Sequence, residues 1–248
     1  MTALAESGSR LWSENLMAIK SVYIPKPEFK DDLIRIRDDE HRHLSVARAA
    51  VGEQIEIFDG QGKVWAATIS GLDRRETHAR VCGSRHVSPD AHELILGLSL
   101  IRPAAFEFAL EKAIETGVTR IIPVIASRSN VKDAGRRERW HRIIIEAAKQ
   151  SKRYHLPVLD EPVSFANVLD VHALSKILFA GRNGSALKPA IKGSPVLYLI
   201  GPEGGWTDGE LKSAEQHGFA LVGLGSTILK AETAAVVGTA LIRYELEN

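Results

Sequence analysis

The segment Leu197 to Leu211, Leu-Tyr-Leu-Ile-Gly-Pro-Glu-Gly-Gly-Trp-Thr-Asp-Gly-Glu-Leu, constrains the fold more than any other part of the chain. Val196 to Ile200 is a short apolar run of β-formers, the profile of a strand buried on both faces. Gly201-Pro202-Glu203-Gly204-Gly205 ends that run abruptly. Thr207 followed by Glu210 forms a capping box that opens a helix, and Trp206 is placed to staple onto Leu211. Strand, glycine-rich loop and helix together let backbone groups approach a ligand at the C-terminal end of a strand. The loop lacks the Lys-Ser/Thr pair of a phosphate-binding loop, and Glu203 would repel phosphate, so a neutral or cationic ligand suits it better. Taken alone, the loop is equally a tight turn whose glycines serve only steric needs.

A second segment repeats the layout. Phe219 to Val222 reads as a strand, and Leu224-Gly225-Ser226-Thr227-Ile228-Leu229-Lys230-Ala231-Glu232-Thr233-Ala234-Ala235 leads from it into a last helix of about Ala231 to Leu246. In order and spacing, GPEGG with its TxxE and then LGxxILKAETA resemble the RsmE family of SPOUT RNA methyltransferases. Lys112-Ala-Ile-Glu-Thr-Gly-Val118, Ile121-Ile-Pro123 with Arg128-Ser129, and Glu146-Ala-Ala-Lys-Gln-Ser-Lys-Arg153 resemble three further family motifs. The likeness runs from about Lys20 to Glu245.

Composition narrows the classes. In 248 residues, hydrophobic content of 44% and charged content of 25% allow a soluble globular chain of one large domain or two ordinary ones. One cysteine, Cys82, excludes an intrachain disulfide and a Cys-rich zinc site, and fits a reducing cytosol. His41 and His43 lie on different faces of a helix and make a poor metal pair, so no metal is expected. No apolar run approaches a membrane span, and no apolar signal region opens the chain; a cytoplasmic protein is expected. The net charge of +1 does not advertise nucleic-acid binding, but its distribution does. Nine basic residues against three acids fall between Arg128 and Arg153, whereas seven acids against three bases follow Gly201. Such a patch suits a phosphate backbone, and a solvated helix face fits Arg136 to Arg142 equally well.

The chain in order divides into three parts. Residues 1–18 form an N-terminal extension without core pattern. Residues 19–82 are mainly β, with runs at 22–24, 33–36, 54–58, 64–69 and 77–81, a hairpin turn at Asp59-Gly-Gln-Gly62 and one helix from about Asp38 to Ala50. A small barrel with one helix is the economical reading. Cys82 to His92 reads as a linker, and residues 93–248 alternate strands and helices in the α/β manner. Strands are expected at 93–101, 118–126, 177–180, 196–200 and 219–224, with helices at 103–116 and 136–151.

The resemblance implies a fold and a function for these parts. It implies an α/β protein with an N-terminal PUA-like β-barrel, an RNA-binding domain, and a C-terminal SPOUT α/β domain with a deep trefoil knot. It implies methylation of N3 of a uridine in the decoding region of 16S rRNA, with S-adenosylmethionine as donor, by a homodimer acting on the rRNA or the assembled small subunit. The small residues Ala231, Ala234, Ala235, Gly238 and Ala240 suit either a dimer helix or close packing within one chain. The cofactor is expected on Ala180, Gly181, Ile200, Gly201, Pro202, Glu203, Gly204, Gly205, Leu224, Gly225, Ile228, Leu229 and Thr233.

The reaction's demands point the same way. A sulfonium donor favours a nearby carboxylate such as Glu203, although Glu203 is equally an acceptor for loop N–H groups. Uridine N3 is a weakly acidic imide, so a cation beside the base oxygens would help to remove its proton. Arginine suits that task by its permanent charge and planar fork. The family motif LGxRILR carries Thr227 and Lys230 where arginines are usual. Arg128 and Lys230 are accordingly the expected catalytic residues, and Arg48, Arg102, Arg128, Lys152 and Arg153 the expected RNA contacts. Thr227 and Lys230 also leave open a non-catalytic or retargeted RNA-binding SPOUT protein, and ribose 2′-hydroxyl methylation is a third reading.

Overall fold

The computed structural model describes residues 19–129, 137–181 and 184–248. The segment 1–18 and the bases Lys132 and Arg136 lie outside them. The described residues divide into two compact units, one within residues 1–89 and 148–156, the other within residues 90–147 and 157–248.

The first unit is a six-stranded mixed sheet. Its strands are β1 (Lys20–Tyr23), β2 (Phe29–Lys30), β3 (Leu33–Ile36), β4 (Gln54–Phe58), β5 (Lys63–Leu72) and β6 (Thr77–His86), in the order β1-β4-β5-β6-β3-β2. Only β1 and β4 pair in parallel. Alternation along β3 buries Ile34 and Ile36, which join Val22, Ile55, Ile57 and Ile69 in one core. Helix α1 (Asp38–Val46) covers this core with Leu44. It stops four residues short of the expected Ala50, because Arg48 adopts a left-handed φ of 52°. The expected linker also begins later, since β6 continues to His86, with Gly83 to His86 paired against Lys63 to Ala66 of β5 and extending that hairpin.

The second unit holds an all-parallel sheet. Its strands are β7 (Leu94–Ser99), β8 (Arg120–Ile125), β9 (Val158–Leu159), β10 (Val163–Ser164), β11 (Ser175–Phe179), β12 (Val196–Ile200) and β13 (Ala220–Val222). The order is β10-β8-β7-β12-β11-β13, with β9 also on β8. Every residue of β7 and of β12 is buried, as expected of central strands covered on both faces. Helices α2 (Pro103–Glu115), α3 (Arg137–Gln150), α4 (Phe165–Leu169), α5 (Asp208–Gln216) and α6 (Ala231–Glu247) complete the unit, the division between units falling within α3. The short β2, β9, β10 and α4 are too brief to carry a periodic signal and went unread in the sequence. No helix among the described residues is long and apolar enough to cross a membrane.

Candidate ligand site at the strand ends of the second unit

The loops that leave β7, β11, β12 and β13 surround one cavity of about 490 Å³. This is the end of a parallel sheet at which ligands bind, because the strands stop there and helix N-termini begin. After β11 come Ala180 and Gly181, after β12 come Ile200 to Glu203 and Gly205, and after β13 come Leu224, Ile228 and Leu229. The structure therefore brings together ten of the residues expected to hold a ligand. Gly204, Gly225 and Thr233 are not among the cavity-lining residues. Thr233, the third residue of α6, lies on its exposed side, while Ala231 and Ala234 on the other side line the cavity.

The glycine-rich loop is rigid for reasons that can be named. A side chain on Gly201 would come within 3.0 Å of the Trp206 indole, so the ring lies directly against the backbone. Trp206 Nε1 donates to Phe179 O at 3.1 Å and its ring packs 5.1 Å from Phe165, which ties the loop to β11 and α4. The capping box is present: Thr207 Oγ1 accepts from Glu210 N, and Glu210 accepts from Thr207 N at 2.8 Å. Glu210 also accepts from Ser127 N at 2.9 Å, a link to the β8 end across 83 positions that no local pattern foretells.

Burial alone would raise the Glu210 pKa, but its hydrogen bonds from Ser127 and Thr207 hold it below the usual carboxylate value of 4.5. A depressed folded-state value means that this group stabilises fully above the unfolded pKa, with the contribution lost as pH falls through the folded one. Glu210→Gln should therefore flatten the fall in melting temperature below about pH 4.5. It should also lower the melting temperature near neutrality, because an amide nitrogen cannot accept one of the two N–H bonds that the carboxylate oxygens take from Ser127 and Thr207. A variant whose acid limb parallels that of the parent would refute this assignment.

Two acid–base features mark the cavity rim. Arg102 Nε donates to Glu203 Oε1 at 3.2 Å, and Arg102 N donates to the same oxygen at 3.4 Å. Burial pushes the Glu203 carboxyl up, but hydrogen bonds from its own N–H and from Arg102, with the charge of that guanidinium, hold it below its usual range. Lys230 also lines the cavity; its side chain is exposed and has no hydrogen-bond or ion-pair partner among the described residues.

Several expected contacts take other roles. Arg128 does not line the cavity. Its Nη1 donates to Gly204 O at 2.9 Å and Trp206 O at 3.3 Å, so it braces the glycine loop from outside. Lys152, in the first unit, is not a surface base: its ammonium donates to Glu56 Oε1 at 2.6 Å, Ile19 O at 2.6 Å and Ser21 Oγ at 2.9 Å. Its neighbour Lys149 is 5% exposed and contacts both carboxylate oxygens of Glu40 at 3.1 Å. Arg153 is half-buried in the same unit, and Arg48 is exposed there. In the second unit Arg137 pairs with Glu161 and Arg139 with Glu107. Much of the basic stretch is thus internal pairing, which the acids supply from distant parts of the chain. In the first unit, three groups with ligand atoms near one another, Asp73, Glu76 and His78, gather at the β5–β6 turn, where His78 Nε2 lies 3.2 Å from Glu76.

Comparison with known proteins agrees with this geometry. Residues 88–243 match the model of an RNA methyltransferase domain, and residues 36–82 that of an RNA methyltransferase PUA domain. Ribosomal RNA small subunit methyltransferase E of Synechocystis is 31% identical, over 95% of this chain and 80% of the relative. The Bacillus subtilis protein of the same name is 33% identical, over 85% of this chain and 89% of its own. The crystal structure of the Neisseria gonorrhoeae protein of that name, bound to S-adenosyl methionine, superposes with a TM-score of 0.83 at 30% identity, covering 91% of this chain and 97% of that one. By motif, sequence identity and three-dimensional likeness, the chain belongs to the ribosomal RNA small subunit methyltransferase E family.

Proposed function

We propose that this chain transfers the methyl group of S-adenosylmethionine to a 16S rRNA uridine, at N3 of one base in the decoding region. The single observation that carries the reading is the cavity at the ends of β7, β11, β12 and β13, bounded by the two loops whose motifs are those of the family. The residues there fit a nucleoside sulfonium. A volume of about 490 Å³ lies within the usual range for such ligands. Ile200, Leu224, Ile228 and Leu229 supply apolar walls for a base, and the exposed backbone groups of the glycine loop can read its edge. When bound, the donor supplies an activated methyl group; the protein holds it in line with the acceptor and keeps water away.

The finer features follow the same reading. The first unit serves as a PUA-like barrel for RNA, with Arg48 and Arg153 as its contacts, and the second is the SPOUT methyltransferase domain. The SPOUT reading includes a deep trefoil knot; in this region the backbone at Gly184 runs close beside Gly223, with Ser185 paired in parallel to Val222. Homodimer formation through α6 is supported by apolar surface on α2 and α6, where Phe108, Leu241 and Tyr244 are 47%, 41% and 61% exposed. The buried small residues Ala231, Ala235 and Gly238 pack within the chain instead, Gly238 against Phe179. A monomer by light scattering at micromolar concentration would contradict the dimer. Action in the cytoplasm, on the rRNA or the assembled small subunit, completes the assignment.

The experiment is mass mapping of 16S rRNA from a strain lacking the gene. One methyl group on a uridine should disappear and return on complementation; an unchanged map would refute the assignment. The second reading, an RNA-binding protein without catalysis, is favoured by Thr227 on the cavity wall. Calorimetry separates the two, since donor binding is required by the first and not by the second.

A further inference from the structure

We propose that Arg102, held in place by Glu203, is the group that makes the acceptor base reactive, its guanidinium binding an oxygen of the uracil imide as N3 loses its proton. The proposal rests on the methyl-transfer reading above. N3 of uracil lies between two carbonyls, and its electron pair becomes nucleophilic only when the N3–H bond breaks. The proton passes to solvent, and the pair left behind is shared among N3, O2 and O4. N3 then bonds to the methyl carbon while the electrons of the sulfur–methyl bond pass to sulfur, leaving a neutral thioether. A cation beside O2 or O4 stabilises the imide anion without standing in the line of attack at N3.

Arg102 and Lys230 are the cations that line the cavity among the described residues. They differ in preorganisation, which is what electrostatic stabilisation of a developing anion requires. Glu203 Oε1 accepts both from Arg102 Nε at 3.2 Å and from Arg102 N at 3.4 Å, so the residue is held at its guanidinium and at its backbone. The loop that carries Glu203 is itself tied down by Arg128 on Gly204 O. With Nε engaged, the four N–H groups on the two Nη atoms have no protein partner among the described residues, and the side chain is 70% exposed at the cavity rim. Arg102 is also the N-cap of α2, whose first turn contains no acid, so the helix dipole adds positive potential at the same place. Lys230 has no such orienting partner among the described residues. Glu203 is accordingly a positioning residue, and the charge it was expected to offer a sulfonium is already shared with Arg102.

The test compares Arg102→Ala, Arg102→Lys, Glu203→Gln and Lys230→Ala with the parent enzyme on small ribosomal subunits that lack the methyl group. Arg102→Ala should lower kcat about a hundredfold near neutral pH. The deficit should shrink as pH rises, because hydroxide then ionises the imide unaided. Subunits reconstituted with 5-fluorouridine rRNA, whose imide is more acidic, should narrow it further. Arg102→Lys should fall between the two, and Glu203→Gln should show a smaller deficit with the same pH signature. Calorimetric affinity for S-adenosylmethionine should be unchanged in Arg102→Ala. A deficit equal at every pH and untouched by fluorouridine, loss of donor binding in Arg102→Ala, or the pH signature on Lys230→Ala instead would each overturn the proposal. A parent enzyme that methylates no uridine N3 would overturn the underlying reading, and that result is obtained before any variant is compared.

Discussion

Gly184→Ala should destabilise the second unit by roughly 4 kcal/mol, as a side chain forced into backbone rather than into a cavity. A Cβ at Gly184 would lie 2.1 Å from both Gly223 N and Val222 C, and neither atom is free to retreat. Gly223 N donates to Ser185 O at 3.1 Å, Ser185 N donates to Leu221 O at 2.8 Å, and Ala180 N donates to Val222 O at 2.9 Å. Relieving the clash means breaking this ladder between the segment after β11 and β13, which also carries Ala180 and Gly181 into the cavity. Donor binding should fall together with stability. Gly209→Ala is the control: nothing lies closer than 4.0 Å to its added Cβ, and it sits in α5. There the lost backbone entropy of the unfolded chain should make alanine stabilising by about 0.5–1 kcal/mol. Urea midpoints at constant slope read both effects. A parental midpoint for Gly184→Ala would show that the two chain segments do not pair so closely.

Lys152→Met should cost about 3–5 kcal/mol, the penalty for leaving a buried carboxylate without its cation. Glu56 is 2% exposed, and Lys152 is its ammonium partner. Tyr154 donates to the other oxygen of Glu56 at 2.8 Å, and burial first, then the Glu56 charge, pushes the Tyr154 phenol far above its ordinary value. Tyr154 therefore remains a neutral donor and cannot replace the lost charge. Adding Glu56→Gln to Lys152→Met removes the stranded charge and should recover much of the stability, as buried pairs replaced together commonly do. If Lys152 were instead an RNA contact, Lys152→Met would leave the denaturation midpoint alone and weaken rRNA binding with a reduced salt dependence.

These two cases show where local reading stops. The glycines of 201–205 and the capping box at Thr207 and Glu210 were legible because they act within a few residues: one ends a strand, the other satisfies the first N–H groups of a helix. Apolar runs likewise marked β7 and β12, whose every residue is buried. Nothing in those runs says that Leu94 lies beside Val196, an arrangement that places β12 between β7 and β11. The basic stretch from Arg128 to Arg153 was legible as charge but not as partnership, since Glu40, Glu56, Glu107 and Glu161 all lie outside it.

By itself, then, the sequence determined the elements and the ligand loops. Backbone preference, periodicity and capping are properties of neighbours along the chain, and two rare loop motifs in fixed order identify a family. Tertiary structure alone decided which charges work and which merely hold. It brings Arg102 to Glu203 across 101 positions, and it buries Lys149 and Lys152 against acids 109 and 96 positions away. The reason is physical: the worth of a charge depends on its partner and on the water it has lost, and both are set by what folding brings alongside it.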